Sequence, residues 1–181
     1  MSRLTTMSPA ALRAVFSPEA DADLMLLLTI YDPANPTSVV ARLSDGVYSD
    51  PTTGASTRIS QTDDEVIYGV ISRSNPFIFL PMEITLPTEN EAQAPQSSIT
   101  LHDVTQYVTP LIRSIQTPPK ILMELVLSTT PDTVEARFDG FYISSITYTA
   151  DVVTLQLAMI DYEREPFPQH SFSPKFFPGM F

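Results

Sequence analysis

Most of the apolar residues in this chain fall in short runs that alternate with polar ones, a period of two that predicts strands rather than helices. Leu24 to Tyr31 departs from the alternation by being apolar almost throughout, and reads as a buried strand. Asp32-Pro33-Ala34-Asn35-Pro36 predicts a turn or loop, Val39 to Leu43 a second strand, and Asp45-Gly46 the turn after it. Val66 to Arg73 alternates around Val66, Tyr68 and Val70. Phe77 to Leu86 sets Ile78, Leu80, Met82, Ile84 and Leu86 on one face. Pro81 interrupts that run, so the strand is an edge, is bulged, or bends there. Ile99 and Leu101 mark a further short strand.

The second half carries the most regular pattern. Ile121, Met123, Leu125 and Leu127 alternate with Glu124 and Ser128; Val134, Ala136 and Phe138 alternate with Thr133, Glu135 and Arg137. Phe141 to Thr149 follows with Tyr142, Ile146 and Tyr148 on one face, then Val153, Leu155, Leu157 and Met159. Thr130-Pro131-Asp132, Asp139-Gly140 and Thr149-Ala150-Asp151 supply turn signals between these runs, which together predict an antiparallel meander.

Two stretches carry helical spacing. Ser8 can cap a short helix with Pro9 in its first turn and Leu12, Val15 and Phe16 on a common face, ended by Ser17-Pro18. Between Asp103 and Ile115, Val104, Tyr107, Val108, Leu111, Ile112 and Ile115 share a face, with Asp103 as cap. Pro110 removes a backbone donor there, so the helix kinks or starts late with Thr109 as its cap.

Ser49 to Asp64 is polar and reads as a mobile loop, and Pro87 to Ser97 as an acidic, proline-bounded one. From Glu163 the chain changes in kind. Prolines 166, 168, 174 and 178 are interleaved with Phe167, Phe172, Phe176, Phe177 and Phe181, without helix or strand period. A plain disordered tail is poor in aromatics, and each phenylalanine has a large apolar area to bury. The expected organisation is therefore one β domain over residues 1–162 with an N-terminal helical extension, and a docking tail over 163–181. The five phenylalanines are its candidate docking residues, on the chain's own sheet or on a neighbour.

Composition narrows the function classes. Hydrophobic residues make up 43% of the 181, enough for a real core. The block Leu24-Met25-Leu26-Leu27-Leu28 falls far short of the roughly 18 apolar residues a membrane span needs. The first residues lack a basic region followed by an apolar block and a cleavage site, so no signal peptide is expected. With no cysteine there are no disulfides, thiolate metal sites or thiol chemistry. The formal charge of -11 opposes a nucleic-acid-gripping surface, which would need clustered Lys and Arg. Seventeen prolines against five glycines imply loops stiffened by proline rather than tight φ > 0 turns.

Catalytic candidates are few. His102 and His170 are isolated in sequence, and a metal site or a Ser-His-Asp relay would need one of them. Asp63-Asp64-Glu65 lacks the spaced ligands and loop glycine of a calcium loop. Asp161, Glu163 and Glu165 could pair for glycoside hydrolysis, but paired acids arise by chance in an acidic chain. Five scattered glycines make no phosphate loop. The expectation is a non-enzyme with no metal and no cofactor, its features being those of an assembly part.

Asn75-Pro76-Phe77-Ile78-Phe79-Leu80-Pro81-Met82-Glu83-Ile84-Thr85-Leu86-Pro87 resembles the "FPFEITLP" strand of a family of tail proteins of tailed bacteriophages and prophages, catalogued as a domain of unknown function. Leu111 to Ile115, Pro118-Pro119 and Met123-Glu124-Leu125-Val126-Leu127 resemble its helix and "LELVLASDPD" strand. Glu165-Pro166-Phe167-Pro168 and Phe172-Ser173-Pro174-Lys175-Phe176-Phe177-Pro178-Gly179-Met180-Phe181 resemble its ending, the most specific part. The likeness covers about residues 20–181; Thr109-Pro110 interrupts the family's helix, and residues 44–74 are longer and more polar than its pattern.

The resemblance implies a mainly β fold, an antiparallel β-sandwich or split barrel of the tail-tube type with one or two short helices. It implies a role similar to that of distal tail or upper baseplate proteins of long-tailed phages. The chain would be made in the host cytoplasm and built into the virion's tail tip. There it would form a homo-oligomeric ring, hexameric or trimeric, between the tail tube protein and the hub or baseplate proteins. DNA would pass as cargo, and no membrane would be bound. Negative walls would let its phosphates slide without sticking. The rivals are a receptor- or carbohydrate-binding β-module, and a carboxylate-dependent hydrolase using Asp161 or Glu163. Deleting residues 166–181 is expected to lower solubility or block assembly, read by size-exclusion chromatography with light scattering; an assembly-competent, well-folded truncation would contradict the docking argument.

Overall fold

The computed structural model describes residues 7–17, 22–33, 38–49, 56–61, 66–85, 96–102, 110, 117–149 and 152–159. It is mainly β. Among the described residues, helix α1 (Pro9–Phe16) precedes ten strands: β1 (Leu24–Tyr31), β2 (Val39–Ser44), β3 (Arg58–Gln61), β4 (Val66–Ser72), β5 (Asn75–Phe79), β6 (Met82–Thr85), β7 (Gln96–Leu101), β8 (Lys120–Leu127), β9 (Thr130–Tyr148) and β10 (Val153–Met159). They form one sheet in the order β3-β4-β5-β2-β1-β8-β9-β10-β7-β6. Every pairing is antiparallel except β2 with β5.

The sheet curls, and Asn75–Thr85 shows why. Its first half, β5, pairs with β2 near one end of the strand order; its second half, β6, pairs with β7 at the other. Only Leu80 and Pro81 lie between, so Phe79 and Met82 cannot be more than ~11 Å apart. The Leu80 N–H donates to the Ser44 carbonyl at 2.9 Å, and the Pro81 carbonyl accepts from the His102 N–H at 2.9 Å. Of the edge, bulge or bend expected at Pro81, the chain breaks there between β5 and β6, at the point where it changes partners and a missing N–H costs no ladder bond.

The concave face holds the main core. Leu26, Leu28 and Ile30 of β1, Ala41 and Leu43 of β2, Ile121 and Met123 of β8, and Phe138 and Phe141 of β9 pack there. Ile99, Leu101, Val153, Leu155 and Leu157 continue it across β7 and β10, with Leu80 at the bend. A smaller cluster lies on the opposite face of β1 and β8: Met25, Leu27 and Val126, covered by Val70 of β4 and Phe77 of β5. The unbroken apolar run of β1 thus has a cause, since both of its faces are covered. Each fully buried Leu, Ile or Phe contributes roughly 1.5–3 kcal/mol of transfer free energy, an upper figure for folding.

Several sequence expectations change. Asp139-Gly140 is no turn, because β9 runs through it. Ile121 faces Phe141 and Met123 faces Phe138, so two residues, Asp139 and Gly140, oppose Leu122 in a bulge with Gly140 at φ +82°. The inserted residue shifts parity, which keeps both Phe138 and Phe141 on the core face. The β8–β9 reversal lies at Ser128 and Thr129, with Thr130 already paired to Leu127, rather than at Thr130–Asp132. Asp45-Gly46 is no hairpin turn either: neither residue takes positive φ, and β2 goes on to neighbour β5, not β3. Arg58–Gln61 inside the expected polar loop is a strand, held by pairing with β4 despite its polarity. The helix of 103–115 lies outside the described residues except for Pro110, which is helical and exposed.

The first helix begins as expected, with Ser8 as cap and Pro9 in its first turn. Its shared apolar face is not what it buries. Ala11 is the buried residue, Leu12 is half-buried, and Val15 and Phe16 are exposed. The Ser8 Oγ accepts from the Ala11 N–H at 3.1 Å and donates to Glu135 Oε1 at 2.8 Å, while the Ser8 N–H donates to Glu135 Oε2 at 2.8 Å. This is the reciprocal logic of a capping box with the carboxylate supplied by β9 instead of the helix.

Gly140→Ala is expected to destabilise the protein by about 1–2 kcal/mol, because an L side chain is strained at that φ; the added Cβ itself would meet only an ordinary contact with Met159 Cε. Urea denaturation measures it; an unchanged midpoint would show that the bulge relaxes freely.

Candidate docking interface

β3, β4 and β5 form the covering layer outside β1, β8 and β9, and its attachment is the most specific polar arrangement among the described residues. The β4–β5 hairpin turns in two residues, Arg73 (φ 50°) and Ser74 (φ 63°), with Ser72 paired to Asn75. Both central residues at positive φ make the tight hairpin turn that matches strand twist, here without the glycine or asparagine that usually occupies it.

That strained tip is held against the β8–β9 hairpin. Arg73 Nη1 donates to Glu124 Oε1 at 3.1 Å and Nη2 to Oε2, a two-pronged ion pair on a carboxylate whose side chain is 4% exposed. The Arg73 N–H donates to Asp132 Oδ1, and the Ser72 hydroxyl donates to the Pro131 carbonyl at 2.7 Å. The Glu124 hydrogen bond holds the guanidinium's pKa above its ordinary value against the opposing effect of burial. At the other end of the layer, burial is the larger influence on Asp45 and pushes its carboxyl upward, partly opposed by the Leu26 N–H that donates to Oδ1 at 2.7 Å.

The covering layer leaves apolar side chains in water. Val70 and Phe77 point inward, but Tyr68 and Phe79, two positions along on the same face, are 40% and 37% exposed. One step beyond the Gly69–Ile78 pair they stand opposite each other. Val66 continues the stripe and Ile71 is exposed on the reverse face. The outer edge, β3, has four residues, an arginine and a bulge between Arg58 and Ser60. Such an edge discourages strand-to-strand addition. The layer can therefore dock through side chains better than through its backbone.

A second concave region lies across the β9 bulge. Pro118, Lys120, Gly140, Phe141, Tyr142 and Met159 line an open cleft of about 650 Å³. A smaller one on the other side of Lys120 and Gly140 is bordered by Tyr31, Asp32 and Arg137.

Of the residues singled out from sequence, Phe167, Phe172, Phe176, Phe177 and Phe181 lie outside the described residues, as do His170, Asp63-Asp64-Glu65, Asp161, Glu163 and Glu165. His102 sits half-buried just after β7, 3.9 Å from Glu83 Oε1. Among the described residues no three His, Asp or Glu side chains gather as a metal site would require, and no helix is long and apolar enough to cross a membrane. Sequence reasoning missed Glu124, taken for a position on a polar face. Its signal was present: Leu122 and Val126 share that face, which leaves a lone carboxylate in an apolar row. No family model, curated protein or solved structure matches the chain.

Arg73→Ala is expected to cost about 2–3 kcal/mol, less than the ~3–5 kcal/mol for a fully buried pair because the guanidinium is partly in water. The double variant Arg73→Met, Glu124→Leu should recover most of that loss in the same chemical denaturation series. Equal losses for single and double variants would mean that the pair does not hold the hairpin.

Proposed function

We propose that this chain is a structural subunit of a bacteriophage tail tip, forming a ring that joins the tail tube to the hub or baseplate and surrounds the DNA channel. The observation that carries the reading is where its family-like signature falls. Within the stretch resembling the "FPFEITLP" strand, Asn75–Pro87, the described residues 75–85 join two separate places in the strand order through β5 and β6. The resemblance and the architecture thus meet on one element, the one whose two halves pair at separate places in the strand order.

Three further features support assembly over catalysis. The covering layer presents Val66, Tyr68 and Phe79 to solvent, the apolar anchors a subunit contact uses. The hairpin beneath them is fixed by an ion pair, so the surface is presented rigidly and loses little freedom on docking. A net charge of -11 suits a channel through which phosphates pass without binding.

Electron imaging of intact tails, with this chain fitted to the tip density, tests the proposal. The expected result is a ring of copies between tube and hub, hexameric or trimeric, with a negative lumen. Copies in peripheral fibres would replace it with receptor binding, and a basic or neutral lumen would sink the channel argument.

A further inference from the structure

The cleft across the β9 bulge has an occupant close at hand. Among its lining residues Gly140 has no side chain to fill it, and Phe141, Tyr142 and Pro118 supply apolar surface beside it. Met159 closes one side, and Met159 is the last residue of β10. The chain therefore leaves the sheet from the rim of the cleft itself. We propose that the segment after β10 turns back and seats Phe167 of the same chain in this cleft, with Pro166 and Pro168 flanking it.

Reach, cost and chemistry favour this residue. Phe167 follows Met159 by eight positions, a span of up to ~28 Å when extended, so the return is possible without strain. It is the first phenylalanine after β10. Loop closure disfavours longer returns by the 3/2 power of length, so Phe167 reaches the cleft about fivefold more readily than Phe181. The two flanking prolines restrict the free segment and reduce what it loses on seating. An aromatic ring suits walls of aromatic, proline and methionine side chains, and the sulfur of Met159 can meet its edge. Glu163 and Glu165 fall between Met159 and Phe167 in the sequence, and Lys120 in the cleft lining offers them a positive charge that Asp139 of the same lining partly offsets.

The seat concerns the isolated chain and does not depend on the tail-tip reading, so either can fail alone. Because the protein has no cysteine, a Pro118→Cys, Pro168→Cys double variant of the full chain reports the contact directly. In oxidised glutathione at low protein concentration, the expected product is a monomer with an internal disulfide. It should form at least tenfold faster than in Pro118→Cys, Phe181→Cys, well beyond the roughly fourfold that chain length alone gives; a ratio near fourfold would overturn the seat. Disulfide-linked dimers alone would assign the cleft to the tail of a second copy, and absence of any bridge would overturn the seat. A second reading uses the absence of tryptophan. Phe167→Trp should emit at shorter wavelength than free indole and resist acrylamide quenching several-fold, independently of protein concentration. Solvent-like emission and full quenching would overturn the proposal.

Discussion

Everything else in this molecule hangs on the pairing of β1 with β8, two strands buried on both faces. Leu24 to Tyr31 runs in unbroken register against Lys120 to Leu127. The pair therefore serves two cores at once: Leu26, Leu28, Ile30, Ile121 and Met123 inside the curl, Met25, Leu27 and Val126 beneath the covering layer. A strand pair in that position cannot tolerate a polar group without a partner. The one carboxylate it contains, Glu124, dictates that something cationic come down over it, and the β4–β5 hairpin does so through Arg73. The geometry of the outer layer thus follows from a single charge in the central strands.

The curl itself depends on local irregularities. Pro81 lets one stretch of chain serve two strands of the sheet, and the bulges in β9 let a strand of nineteen residues bend while keeping its apolar side chains inward. Phe138 and Phe141, then Ile143 and Ile146, stay on the core side only because an extra residue is inserted between each pair. These insertions also create the cleft at Gly140, so the device that shapes the sheet leaves a hollow on it.

Much of this was legible beforehand. β1 announced its burial by its apolar run, Pro81 an irregularity in its strand, Ser8-Pro9 the helix start, and the last three strands their antiparallel order. What failed did so for identifiable reasons. Asp-Gly has the same sequence signature in a hairpin turn as in a bulge, and only the partner strand distinguishes Gly140 from a reversal. Arg58–Gln61 is a strand because β4 offers it backbone bonds, which side-chain pattern does not reveal. Leu12, Val15 and Phe16 promised a buried helix face, but Glu135 fixes α1 by its cap and so sets the face that Ala11 occupies. The docking phenylalanines were read from composition alone, and they lie outside the described residues.

The central pairing has a consequence for synthesis. Leu24 must wait for Leu127, about a hundred positions further on, before its ladder can form. At ~5–20 residues per second, β1 spends roughly 5–20 s emerged from the ribosome as an apolar strand with neither face covered. For that interval the most hydrophobic segment of the chain is also its most aggregation-prone. Such a chain gains from a chaperone that holds β1 and releases it only when β8 arrives.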